Sequence, residues 1–316
     1  MKNIKKLPLI LSIISLFTIF SPANADIKVV ASIKPIHSLA SYLMDGVGKP
    51  DLIVDGYASP HGFAMKPSHA KMLQNADLIF WVGEDLENFL EKPLKSIAKK
   101  AEKIELMETK GLKKLKFRER NIFEEHGHDE HKEHGHKEDK HDDHHGHAHG
   151  EHDPHIWLDP INAKVILSEM AEHLIEKDPN NASVYKANLK KAHNALDNLT
   201  KKVKSELKGN FKSIVFHDAY QYFEKRFDVN VLGAFTVNTD VLPGAEQLAE
   251  IREVIKHEKV TCVFSEPQFN PDIIKAVAKD TNIKTGVIDP LGATLNPGKD
   301  LYFDLIRNMY ASFKIC

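Results

Sequence analysis

The sequence predicts an α/β protein made of two small lobes with mainly parallel sheets, joined by a long rigid helix. Three observations carry this. Short apolar runs alternate with longer amphipathic ones in both halves of the chain, the signature of βαβ units. Between the halves, Leu189, Ala192, Leu196, Leu199, Val203 and Leu207 recur three or four residues apart and give one helical stripe. The length, about 290 residues without the first 25, is enough for two domains.

The N-terminus reads as a secretory signal over 1–25. Lys2, Lys5 and Lys6 precede an apolar run from Leu7 to Phe20, and Ala23-Asn24-Ala25 is a small-residue cleavage site. The run is shorter than the ~20 residues of a membrane span, and no later run is longer. A soluble exported protein starting near Asp26 is expected. Without the three lysines, the 43 Lys+Arg become 40 against 45 Asp+Glu, a net charge of −5 with histidines neutral. That balance argues against a nucleic-acid partner.

The first lobe is expected over 26–160. It reads as strands at 27–31, 51–54 and 77–82 and helices at 35–44, 67–75 and 86–100. Helix 161–177 follows. Asp178-Pro179 then reads as N-cap and first turn of a helix running to Lys208 and stopped by Gly209. At 1.5 Å per residue this second helix would be a rod of roughly 45 Å, and 161–209 forms the connection. The second lobe, 210–316, reads as strands at 213–216, 229–232, 261–264 and 285–288. Its helices fall near 220–226, 245–257, 271–281 and 301–313. Cys262 and Cys316 are the only cysteines. In an exported chain they read as a disulfide, stabilising by on the order of 4 kcal/mol.

Inside the first lobe lies a loop, about 118–152, that cannot bury a face. It holds His126, His128, His131, His134, His136, His141, His144, His145, His147, His149 and His152 among acids and lysines. Such a run stays solvated and captures metal weakly. Its His126-Gly127-His128-Asp129-Glu130-His131 nearly matches a binuclear-hydrolase signature, but no strands flank it. No His-Glu-x-x-His helix exists to pair a zinc-bound water with a base.

The composition flips at Asp153-Pro154-His155-Ile156-Trp157-Leu158-Asp159-Pro160, where prolines fix the backbone around one histidine. In open α/β sheets, ligands sit beyond the carboxyl ends of strands. His61 follows strand 51–54, His217 follows 213–216, and Asp289 follows 285–288 and is held by Pro290. With His155 they form a candidate metal site between the lobes, chemically suited to a borderline-soft divalent ion. Asp289 also fits a turn residue accepting backbone N–H bonds. His37 and His69 fall in predicted helices, and His173, His193 and His257 on solvated helical faces; none is read as a ligand.

Ala58-Ser59-Pro60-His61, the 153–160 motif, Phe216-His217-Asp218-Ala219-Tyr220, Val263-Phe264-Ser265-Glu266-Pro267-Gln268-Phe269 and Asp289-Pro290-Leu291-Gly292 together resemble ZnuA-type periplasmic zinc-binding proteins. These are substrate-binding subunits of bacterial zinc-uptake ABC transporters. The resemblance covers nearly the whole mature chain, in order. It implies the two-lobed metal-receptor fold, a periplasmic location, Zn²⁺ as cargo and no enzymatic activity. An inner-membrane ABC permease with its ATPase is the implied partner, a periplasmic zinc chaperone an optional one, and the protein a monomer.

His61, His155 and His217 fall on the family's three histidine ligands, and three imidazoles favour Zn²⁺ over Mn²⁺. The cysteine pair matches the disulfide of Gram-negative members. Some members carry a ligating glutamate before the first histidine, but here that position is Pro60. The fourth ligand is then Asp289, water or a loop histidine, with Asp289 placed first. Rival readings are a manganese or iron receptor of the same fold, an exported zinc hydrolase with an open water position, and a zinc buffer or adhesin.

Overall fold

The computed structural model describes residues 27–118, 120–123, 150–209, 211–237, 239 and 241–315. The signal segment, the histidine run up to His149 and Cys316 lie outside them.

The first lobe is built from β1 (Val29–Ile33), α1 (Lys34–Leu43), β2 (Asp51–Val54), α2 (Pro67–Asn75), β3 (Leu78–Trp81), α3 (Asn88–Ser96) and β4 (Glu102–Glu105). Its strands pair in parallel in the order β2-β1-β3-β4. Every residue of β1 and β3 is buried, which explains why both are apolar apart from Ser32, since both faces are covered. β4 was not legible in the sequence. It is an edge strand, Glu-Lys-Ile-Glu, in which Ile104 alone is buried. The helix expected over 86–100 is shorter at both ends, Asn88–Ser96; at its start the buried Glu87 carboxylate turns back to accept from the Val82 and Gly83 N–H groups at 2.8 and 3.0 Å.

The second lobe contains β5 (Lys212–His217), α6 (Gln221–Phe227), β6 (Asn230–Thr236), α7 (Ala245–His257), β7 (Cys262–Ser265), α8 (Asp272–Thr281) and β8 (Lys284–Val287). The sheet is again parallel, ordered β6-β5-β7-β8. In both sheets the first strand lies between the second and third, so the crossovers diverge beside β1/β3 and β5/β7. Such switch points open a crevice at the carboxyl ends.

Residues leading into and out of the histidine run are tied down. Lys116 and His152 form an antiparallel bridge, and Asp153 N–H donates to Leu115 O at 2.8 Å. Ile122 pairs antiparallel with Gly233 on β6. Glycine is required there, because a Cβ would lie 2.6 Å from Asn121 O.

Between the two sheets in chain order come α4 (Pro160–Lys177) and α5 (Ala182–Glu206), which pack on each other and on α1. The single helix expected over 178–208 is divided: Pro179–Asn181 is a separate 3-10 turn and α5 has 25 residues, about 37 Å. The Asp178 carboxylate accepts from Asn181 Nδ2 and Tyr185 Oη, both at 2.7 Å, and not from backbone N–H. The expected stripe is buried except for half-buried Leu189. The junction is also broader than one strut. α9 (Leu301–Ile315) returns to pack on α1 and α5. One apolar core runs from β1 and β3 through α4, α5 and α9 to Val215, Phe223 and Phe264 of the second lobe.

Candidate metal centre

Each histidine is delivered by a different local device. His61 ends a loop that leaves β2 through Asp55, whose Oδ1 accepts from Gly56 N–H at 2.7 Å. Gly56 takes a left-handed φ of 68°, which glycine adopts without steric cost. His61 itself is half-buried, and its N–H donates to Ser59 Oγ at 3.3 Å.

His155 sits before a 3-10 turn (Ile156–Leu158) that leads into α4. Asp159 N-caps that helix, accepting from Ile161 N–H at 2.8 Å, with Pro160 at the first position. Trp157 is fully buried and donates Nε1–H to Pro290 O at 2.8 Å. His217 is the last residue of β5, placed beside the β5/β7 switch point.

The structure brings these three together. Each offers a ring nitrogen, and those atoms all lie within 4.8 Å of one another. The His155 and His217 Nε2 atoms are 3.4 Å apart. Two nitrogens bound tetrahedrally to Zn²⁺ at 2.0–2.1 Å would be separated by ~3.3 Å. Ser59, Pro60, Trp157, Phe269, Pro290 and Leu291 complete a mostly apolar pocket wall.

Two buried carboxylates orient the rings by the same arrangement. Asp153 Oδ1 accepts from both His155 N–H (3.0 Å) and His155 Nδ1 (2.7 Å). Glu266 Oε1 accepts from His217 Nδ1 at 2.7 Å and from its N–H at 3.4 Å. With Nδ1 protonated, each Nε2 lone pair points into the pocket, the tautomer a metal needs. Neither acid had been singled out as functional in the sequence. Their signals were Asp153 two residues before His155, and Glu266 directly after the strand that neighbours β5.

The electrostatics suit a cation. Burial holds His155 well below the ordinary imidazole value, with His217 adding to the effect. Burial lowers His217 as well, but Glu266, Asp218 and Asp153 outweigh it and the net shift is upward. Burial pushes Asp153, Asp218 and Glu224 up to about 7. Arg118 bridges Asp218 Oδ1 (2.9 Å) and Glu224 Oε2 (2.7 Å).

Asp289 is not brought into this group. Its Oδ1 accepts from Gln268 Nε2 (2.8 Å), Leu291 N–H (3.1 Å) and Gly292 N–H (3.0 Å), and its Oδ2 from Ala293 N–H (2.6 Å). The carboxylate is therefore committed to its own turn, the alternative role open to it from sequence. His37 and His69 are buried in α1 and α2, bonded to Pro50 O and Lys66 N–H. His173 and His193 are half-buried rather than solvated. His173 Nδ1 lies 2.6 Å from Glu102 Oε1, with Glu176 nearby, but Lys177 already neutralises Glu102 at 2.9 Å. Cys262 is buried on β7.

Comparison with known proteins follows the same lines. The family described as "Zinc-uptake complex component A periplasmic" matches residues 29–316. "High-affinity zinc uptake system protein ZnuA" of Brucella abortus (strain 2308) is 46% identical over 331 residues, covering 100% of this chain and 99% of that protein. Two solved structures share the fold at 22% identity. "Crystal structure of ZnuA" has a TM-score of 0.73, with 92% of this chain and 100% of the other covered. "Crystal structure of 138-173 ZnuA deletion mutant plus zinc bound" has a TM-score of 0.71, with 92% and 97% covered. With three converging imidazoles and a family match over nearly its whole length, the chain is a member of the zinc-uptake complex component A periplasmic family.

Proposed function

We propose that the protein captures Zn²⁺ with His61, His155 and His217 and delivers it to an inner-membrane ABC permease powered by an ATPase. The observation that carries this reading is the convergence of three imidazole nitrogens, from three distant segments, at spacings a single tetrahedral ion spans. With Asp289 bonded to its own turn, the fourth position falls to water or to a histidine of the loop. The site is read as a cargo site, not a hydrolytic one. The carboxylates nearest the imidazoles, Asp153 and Glu266, each hold an Nδ1 hydrogen and orient a ring.

The reading includes export to the periplasm by the 1–25 segment and a disulfide between Cys262 and Cys316. It also assigns weak auxiliary capture to the histidine run and a monomeric protein. Among the described residues no helix is long and apolar enough to cross a membrane.

Titration of metal-free protein against Zn²⁺, Mn²⁺ and Cu²⁺, with and without residues 124–149, tests it. One tight Zn²⁺ site that survives the deletion, with weaker equivalents lost, is the expected result. Tight binding that vanishes with the deletion, or Mn²⁺ preferred over Zn²⁺, would overturn the assignment.

A further inference from the structure

Lys34 opens α1 immediately after β1, and its side chain is only 4% exposed. Its Nζ donates to Gly292 O at 3.2 Å, Ala293 O at 2.9 Å and Leu295 O at 2.9 Å. An ammonium has three N–H donors and no acceptor, so these carbonyls use all of them. Asp55 Oδ1 lies 3.3 Å from the same Nζ and supplies counter-charge.

Those partners belong to two segments whose neighbouring residues line the metal pocket. The carbonyls come from the 289–295 turn, whose N–H groups at Leu291, Gly292 and Ala293 are gathered by Asp289. Pro290 and Leu291 of that turn line the pocket, and Pro290 O receives Trp157. The turn is thus held at its N–H groups by a carboxylate and at its C=O groups by an ammonium. On the other side, Asp55 begins the loop that ends in His61, the histidine carried by the loop after β2. His155 and His217 are oriented by Asp153 and Glu266. The loop of His61 is connected to the second lobe through Lys34.

We propose that Lys34 is a positioning residue for metal coordination: it clamps the 289–295 turn to the base of the 55–61 loop and so sets where His61 meets His155 and His217. This rests on the reading of the three histidines as Zn²⁺ ligands. The geometry favours lysine, a compact charge with three rotatable donors, over the planar fork of arginine.

The test compares wild type, Asp55→Asn, Lys34→Met and the double variant, with His217→Ala alongside. Zn²⁺ affinity is read by chelator competition, release by stopped flow, and coordination geometry by the visible spectrum of bound Co²⁺. Orienting partners outside the ligand set typically change metal affinity 10–100-fold. Asp55→Asn should therefore weaken Zn²⁺ by ~10-fold and Lys34→Met by up to ~100-fold, both with faster release and an altered Co²⁺ spectrum. The double variant should lose less than the two single losses combined.

Asp55 is 60% exposed, so its variant decides the matter should Lys34→Met fail to fold. If His217→Ala abolishes tight binding while Asp55→Asn matches wild type in affinity, release and spectrum, the clamp is refuted and the site stands. If His217→Ala still binds tightly, the site assignment falls and the clamp with it.

Discussion

His155 and His217 present their Nε2 atoms to each other at 3.4 Å while both Nδ1 atoms are held by buried carboxylates. Two neutral rings so arranged oppose two lone pairs, an arrangement that favours a proton or a metal ion between them. Removing either ring should therefore remove tight binding. His155→Ala or His217→Ala is expected to weaken Zn²⁺ by more than ~100-fold, measured by calorimetry with a competing chelator. Residual weak uptake through the histidine run would persist.

Asp153→Asn and Glu266→Gln keep the volume but remove the charge that fixes the Nδ1–H tautomer. Each should lower Zn²⁺ affinity 10–100-fold without unfolding the protein. Chelator competition beside a thermal melt separates the two effects. Unchanged affinity in both variants would show that the carboxylates do not orient the rings.

Acid should release the metal, and His217 sets where release begins. Its pKa is raised above the ordinary 6.5, so it takes a proton first as pH falls, while His155, held well below, stays neutral. Zn²⁺ binds the neutral ring, so affinity is greatest above the His217 pKa and falls about tenfold per unit below it for one competing proton. Titrations between pH 8 and 5.5 check this; a flat profile would contradict it.

Glu87, the N-cap residue of α3, is fully buried, and burial pushes its pKa up to about 7 from 4.5. A carboxyl raised on folding contributes stability that is complete below its unfolded pKa and lost as pH rises through the folded one. Wild type should thus lose up to about 3 kcal/mol between pH 5 and 8 from this group. Glu87→Gln carries no titrating proton, so its stability relative to wild type should improve over the same range in urea unfolding.

Arg118→Met would leave Asp218 and Glu224 buried without their shared cation. The loss should be about 3–5 kcal/mol at pH 8, where both acids are ionised. It should shrink towards pH 5.5, because carboxyls with pKa about 7 take up protons there. Urea unfolding at the two pH values measures it.

The strands that carry the site were legible because β1, β3, β5 and β7 are buried along nearly their whole length and are largely apolar. β4 was not, since an edge strand needs only one buried side chain. His61, His155 and His217 could be selected because strand ends and proline-fixed turns leave local marks in sequence. Asp289 shows the limit: a carboxylate after a strand looks the same whether it faces an ion or its own backbone N–H groups, and only the folded turn decides.

By itself the sequence marked the βαβ alternation in both halves, the three histidines that the fold brings together and the family. Local propensity, burial pattern and motif order are properties of neighbouring residues and are written there directly. Tertiary structure decided which groups surround the three imidazoles. It placed Asp153 and Glu266 on the rings, Asp289 on its turn and Lys34 between the lobes, because partners up to 261 positions apart in the chain meet only once the apolar core has closed.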